Sequence, residues 1–253
     1  MIITFLGTGT SQGIPVIGCT CNVCSSLDYR NKRLRSSIHI EVEGLSLVID
    51  SGPDFRQQMI REKINRLDAI LFTHQHKDHV AGLDDIRPFN YLQNEDIPIY
   101  ATDYVIDQLK KEFSYIFQET PYPGIPQIKI NPITSKSFYI KKTKVTPIQV
   151  LHYKLPVLGF RISNFTYITD ANFIDDKEIE KIKGSEIVVL NALQKEYHLS
   201  HFSLDEAIAV AKKINAPQTY FIHMGHKLGT HQEINTELPA GIQLAYDGLK
   251  LYL

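Results

Sequence analysis

An apolar run from Ala69 to Phe72 leads directly into Thr73-His-Gln-His-Lys-Asp-His79, which places His74, His76, Asp78 and His79 within six residues. Four apolar residues bounded by polar ones read as a buried strand. Open sheets bind ligands beyond the carboxyl ends of their strands, so this loop is where a site belongs. Imidazole nitrogen and carboxylate oxygen suit zinc, manganese or iron. In extended chain His74 and His76 project to the same side, while Asp78 and His79 face a second ion as the chain turns into a helix. The spacing suits two metals.

Three more apolar runs end on a possible ligand: Thr146 to His152, Phe165 to Asp170 and Gln218 to His223. Each is strand-like and places one histidine or aspartate at its carboxyl end, so the first motif has partners later in the chain.

The order H-x-H-x-D-H, then a lone His, Asp and His at strand ends, resembles the metallo-β-lactamase fold superfamily of binuclear hydrolases. The likeness spans nearly the whole chain and includes Val48-Ile-Asp50-Ser-Gly52, where the family's aspartate braces the metal loop. It implies an α/β fold, the four-layer αββα sandwich. It also implies one ion held by His74, His76 and His152, another by Asp78, His79 and His223, and Asp170 bridging two divalent ions, zinc or manganese.

All three cysteines lie in Cys19-Thr-Cys21-Asn-Val-Cys24. An odd number so closely spaced is no disulfide framework but matches a structural zinc site, with one tetrahedral corner left over. His226, three residues after His223, is the candidate for that corner. Together with Gly7-Thr8-Gly9 and Gln12-Gly-Ile-Pro15, the knuckle and the late histidine resemble the PhnP-like phosphodiesterase branch, the accessory proteins of carbon-phosphorus lyase.

Ser203-Leu-Asp-Glu206 reads as a capping box opening a helix from Leu204 to Ile214. His201 therefore sits just before a helix N-terminus, where anions are attracted. In the resembling hydrolases such a histidine acts near the leaving group, which makes His201 and Asp78 the catalytic candidates; His198 is the alternative to His201. Arg87 stands as either a phosphate grip or a structurally paired arginine. His39, opposite the apolar face of its strand, is expected in solvent, as are the basic clusters Lys32 to Arg35 and Lys141 to Lys144. His231 is expected in a loop, and Pro121 to Pro126 in a connector.

The 253 residues fit one hydrolase domain over 1–253, and 27 basic against 28 acidic residues leave no broad footprint for nucleic acid. The apolar start Met1 to Gly7 is too short for a signal peptide, and no run reaches the roughly 20 apolar residues of a membrane span. A cytoplasmic enzyme without a membrane partner is expected, acting on a small phosphodiester, cyclic ones included; a homodimer stays open. The rival readings are a tRNA 3′-processing ribonuclease, whose long Gly- and Pro-rich arm is not found, and a PqqB-like role in cofactor biosynthesis, which the same ligands allow.

Overall fold

The computed structural model describes residues 1–118 and 124–253 as a mixed α/β chain with two sheets. Two compact units account for them: Met1–Leu6 with Ser37–Thr134 and Lys250–Leu253, and Gly7–Ser36 with Ser135–Leu249. Of the connector Pro121 to Pro126, the first three residues lie outside the described ones.

The first unit is built on seven strands in the order Lys250–Tyr252, Ile2–Gly7, Ser37–Val42, Leu45–Ile49, Ala69–Leu71, Ile97–Ala101 and Ile128–Pro132. From Leu45–Ile49 onward the strands run parallel. Parallel strands are covered on both faces, and every residue of Leu45–Ile49 and Ala69–Leu71 is buried. Helices Phe55–Glu62 and Asp103–Glu112 contribute Phe55, Met59, Val105, Ile106 and Leu109 to the same core as Val48, Ile70 and Phe72. Double coverage also corrects the expectation for His39. Its strand is internal to the sheet, and the ring is 4% exposed, bonded through Nε2 to Ser46 Oγ at 2.8 Å.

The second unit carries eight strands. Seven follow the order Phe173–Ile174, Thr143–His152, Leu155–Ile162, Phe165–Tyr167, Ile187–Asn191, Gln218–Ile222 and Ile242–Leu244, and Phe138–Ile140 also pairs with Thr143–His152. Phe165–Tyr167, Ile187–Asn191 and Gln218–Ile222 are mutually parallel, so Asp170 and His223 leave from the same end of the two strands that flank Ile187–Asn191. Helix Leu204–Ile214 opens on the expected capping box, with Ser203 and Glu206 both engaged. A second capping box, Thr230 with Glu233, opens helix His231–Glu237. That helix corrects the loop expected at His231; its T-x-x-E signal was present in the sequence. Among the described residues no helix is long and apolar enough to cross a membrane.

Candidate metal centres

In the first unit Asp50 organises the histidine loop. Its N–H extends the parallel ladder to Leu71 O at 2.9 Å, and its backbone is left-handed at φ 63°. This conformation costs a non-glycine residue about 1–2 kcal/mol. It aims the carboxylate at the loop: Oδ1 accepts from Thr73 N at 2.8 Å, and Oδ2 from Thr73 Oγ1 at 2.8 Å and His79 Nδ1 at 2.7 Å. Burial pushes the Asp50 carboxyl above its ordinary range, opposed by the His79 ring and the Thr73 donors. Because Thr73 spends its hydroxyl proton on Asp50, His74 Nδ1 donates to Thr73 Oγ1 at 2.9 Å. His74 and His79 therefore both keep their lone pair on Nε2, the arrangement in which an outer hydrogen bond orients a metal-binding imidazole. Their rings lie 4.3 Å apart and the His76 ring lies 4.6 Å from His74; His76 is exposed, at the start of helix Lys77–Val80. Asp78 Oδ2 is 3.2 Å from His79 Nε2. Gly82 lets this helix lie close: a Cβ there would fall 2.1 Å from Gly52 O.

The second unit brings His152, Asp170, His201 and His223 together. Asp170 and His223 are left-handed, at φ 55° and 54°, as Asp50 is. His152 Nδ1 donates to Ser200 O at 2.8 Å, which leaves the lone pair on Nε2. His223 Nδ1 lies 3.3 Å from Asp170 Oδ2, with Thr10 Oγ1 3.3 Å from its other nitrogen. The His201 ring stands 4.5 Å from His152 and 4.9 Å from His223, and its Nδ1 is 3.8 Å from Asp170 Oδ1. The His198 ring is 5.2 Å from that of His201, and His198 is half-buried. Burial, reinforced by the His223 ring, lowers the His201 pKa to about 3.

The knuckle belongs to this unit too. His226 Nδ1 faces Cys19, Cys21 and Cys24 Sγ at 3.2, 3.5 and 3.6 Å, and the four donor atoms lie within 4.8 Å of one another. Bonds of about 2.3 Å to sulfur and 2.1 Å to nitrogen give tetrahedral edges of about 3.6 Å, so the donor set fits zinc. In the first unit the Nε2 lone pairs of His74 and His79 beside the Asp78 carboxylate, and in the second that of His152 in the group with Asp170, likewise suit divalent cations.

Of its two expected roles Arg87 takes the structural one, donating to the Asp84 carboxylate and to Asp84 O. Another expected role changes. Arg33, expected on a solvated face, is 4% exposed: it donates to Thr8 Oγ1 at 2.7 Å, Ala245 O at 2.6 Å and His231 Nδ1 at 3.1 Å, and Thr8 in turn donates to Asp247. A run of three basic residues in four hides one that faces inward. Burial, with Lys250 adding and Glu62 opposing, lowers His39 to about 4, and burial with Arg33 does the same to His231. Both rings stay neutral in the folded chain over a range where the unfolded chain takes up protons, so stability falls as pH drops from about 6.5 towards 4. His39→Gln is expected to flatten part of that slope, worth up to about 3 kcal/mol at about 1.4 kcal/mol per pKa unit. Melting temperatures of both proteins from pH 7.5 to 4.5 check this, and parallel curves would refute it.

Residues 46–224 match the model of the β-lactamase superfamily domain, a stretch that contains every one of these strand-end histidines and aspartates. The chain belongs to the metallo-β-lactamase superfamily. The knuckle cysteines and His226 lie outside the matched residues. A solved structure described as a new diphosphatase from the PhnP family is 40% identical, with a TM-score of 0.93 over 100% of this chain and 97% of that one. Zn(2+)-bound PqqB from Methylobacterium extorquens, at 19% identity and a TM-score of 0.82 over the full length of both chains, shares the fold. Among curated proteins, an octanoyltransferase from Porphyromonas gingivalis is 38% identical over 97% of this chain and 50% of its own length. A PQQ synthesis protein B from Methylobacterium radiotolerans is 30% identical over 43% of this chain and 40% of its own. The chain spans about half the length, or less, of these curated relatives.

Proposed function

We propose that the chain is a metal-dependent hydrolase of a small phosphodiester or diphosphate, and that His74, His76, Asp78, His79, His152, Asp170 and His223 are the ligands of two divalent ions. The observation that carries this reading is the full-length likeness, at 40% identity, to a PhnP-family diphosphatase. The proton placement on His74, His79 and His152 supports the ligand roles. Half of the octanoyltransferase lies outside the match, so its acyl transfer does not carry over to this chain by likeness alone.

Bound divalent ions supply hydroxide near neutral pH and neutralise charge on phosphoryl oxygens. The protein's part is orientation and proton management. Asp50 and Thr73 fix the ring planes of His74 and His79, and the Asp78 carboxylate orients the nucleophile by accepting its proton in a hydrogen bond. A histidine with its pKa lowered to about 3 is neutral at pH 7, so His201 serves the leaving oxygen as a neutral N–H donor.

The test is a turnover screen of metal-reconstituted protein on linear and cyclic phosphodiesters and diphosphates, beside thioesters and precursor tRNA. Hydrolysis confined to thioesters or to tRNA would overturn the reading. For His201→Ala we expect unchanged metal content and a kcat lower by roughly a hundredfold on a sugar-alkoxide leaving group. The loss should shrink on a nitrophenyl ester, whose leaving group departs without a donor. Equal losses on both would assign His201 to phosphate binding and pass the donor role to His198.

A further inference from the structure

The first unit carries a cleft of about 770 Å³ between helices Phe55–Glu62 and Arg87–Gln93, and among the described residues that line it none is a proposed metal ligand. Met59 and Phe89, both buried in the core of this unit, form its floor. One helix with its C-cap residue contributes Arg56, Ile60 and Lys63, spaced i, i+4, i+7. The other contributes Pro88, Tyr91 and Leu92, spaced i, i+3, i+4, so each helix presents a single stripe to the cleft. An outward stripe is ordinarily polar, yet Ile60 is 60% exposed, Tyr91 72% and Leu92 68%. Single exposed apolar residues need no explanation, but three that line one cleft mark a binding surface. The charges there are uneven. Arg87 is engaged by the Asp84 carboxylate, and Asp85 is attracted by Arg56. Lys63 has no ion-pair partner among the described residues, which leaves one positive charge unbalanced at the cleft.

We propose that this cleft binds a free fatty acid, its alkyl chain lying between the Ile60 and Tyr91–Leu92 stripes and its carboxylate at Lys63. The volume falls within the roughly 300–1,000 Å³ of small-molecule sites, which are mostly apolar with a few placed polar groups. One carboxylate balances the one cation left over, and an unbranched chain covers the apolar stripes. A second copy of the chain is a poorer occupant, because a two-fold contact would set the unbalanced Lys63 of each copy against the like-charged face of the other.

The probes are dodecanoate, dodecyltrimethylammonium, which keeps the tail and reverses the charge, and acetate, which keeps the head alone. Each is titrated calorimetrically, below its micelle concentration, into metal-reconstituted wild type, Ile60→Ser, Leu92→Ser and Lys63→Glu. Wild type should bind dodecanoate at least about tenfold more tightly than dodecyltrimethylammonium, and acetate without saturation. Each serine variant should weaken dodecanoate by about fivefold or more, the scale of losing much of one buried apolar side chain. Lys63→Glu should erase the preference for the anion while the cationic amphiphile still binds. All three positions are exposed, so melting temperatures should stay near that of wild type. Equal affinities for the two amphiphiles in wild type would overturn the carboxylate, and dodecanoate binding untouched by both serine variants would overturn the cleft. So would phosphatidylglycerol vesicles bound by a protein indifferent to free dodecanoate, or a wild-type dimer that Leu92→Ser splits in sedimentation with dodecanoate affinity unchanged. None of these measurements reads turnover, so the hydrolase assignment stands or falls separately.

Discussion

Asp170→Ala is expected to remove most of the metal from the histidine–aspartate set and to lower turnover on any phosphoester by at least about a thousandfold, the equivalent of about 4 kcal/mol of transition-state stabilisation. The size follows from position. Asp170 lies 3.3 Å from His223 Nδ1 and within 4 Å of His201 Nδ1, it is 2% exposed, and its backbone is held left-handed so that the carboxylate meets those rings. Metal analysis by mass spectrometry on wild type should find about three ions per chain, two of them lost in Asp170→Ala and one retained. Wild type that binds a single ion under metal-replete conditions would refute the two-ion assignment, whatever the variant does.

Cys24→Ser should act in the opposite way. Structural zinc contributes its binding free energy to folding, about 10–16 kcal/mol in the smallest zinc peptides, although a chain with two large cores of its own depends on it far less. Cys24 is buried against Ile14 and Val23 in a small cluster that has little else to hold it. We expect a loss of several degrees in melting temperature and of one ion per chain, while the folded fraction keeps most of its turnover. The converse, His76→Ala, concerns an exposed residue at the start of a short helix and should cost activity with little change in stability. Catalysis abolished by Cys24→Ser at an unchanged melting temperature would mean that the knuckle is part of the reaction.

These two experiments separate sites that the sequence had already separated by residue type. Ligand chemistry, strand identity and the order of motifs were legible because they are local: apolar runs of four to seven residues ending in His or Asp, three thiols in six residues, and a capping box four residues long. Leu204–Ile214 follows the expected limits for the same reason, since its patterning is strong and uninterrupted. Helix Asp103–Glu112 is followed by a 3-10 turn over Ser114–Phe117, a break that no glycine or proline marks in the sequence. Strand Ile128–Pro132, at the edge of its sheet, carries only the short alternation Ile-Lys-Ile-Asn and gives a weak local signal.

What the sequence by itself determined is the inventory of ligands and the strand ends that carry them, because residue type and short-range periodicity are properties of the chain alone. Tertiary structure decided the rest. The lone pair of His74 is assigned by a hydroxyl that Asp50, 24 residues earlier, has already engaged, and the burial of His39 and Arg33 depends on strands and helices distant in sequence that cover them. The left-handed turns at Asp50, Asp170 and His223 are decided there too. No local preference selects that conformation for His or Asp over the alternatives, so only the packing around the strand ends holds it in place.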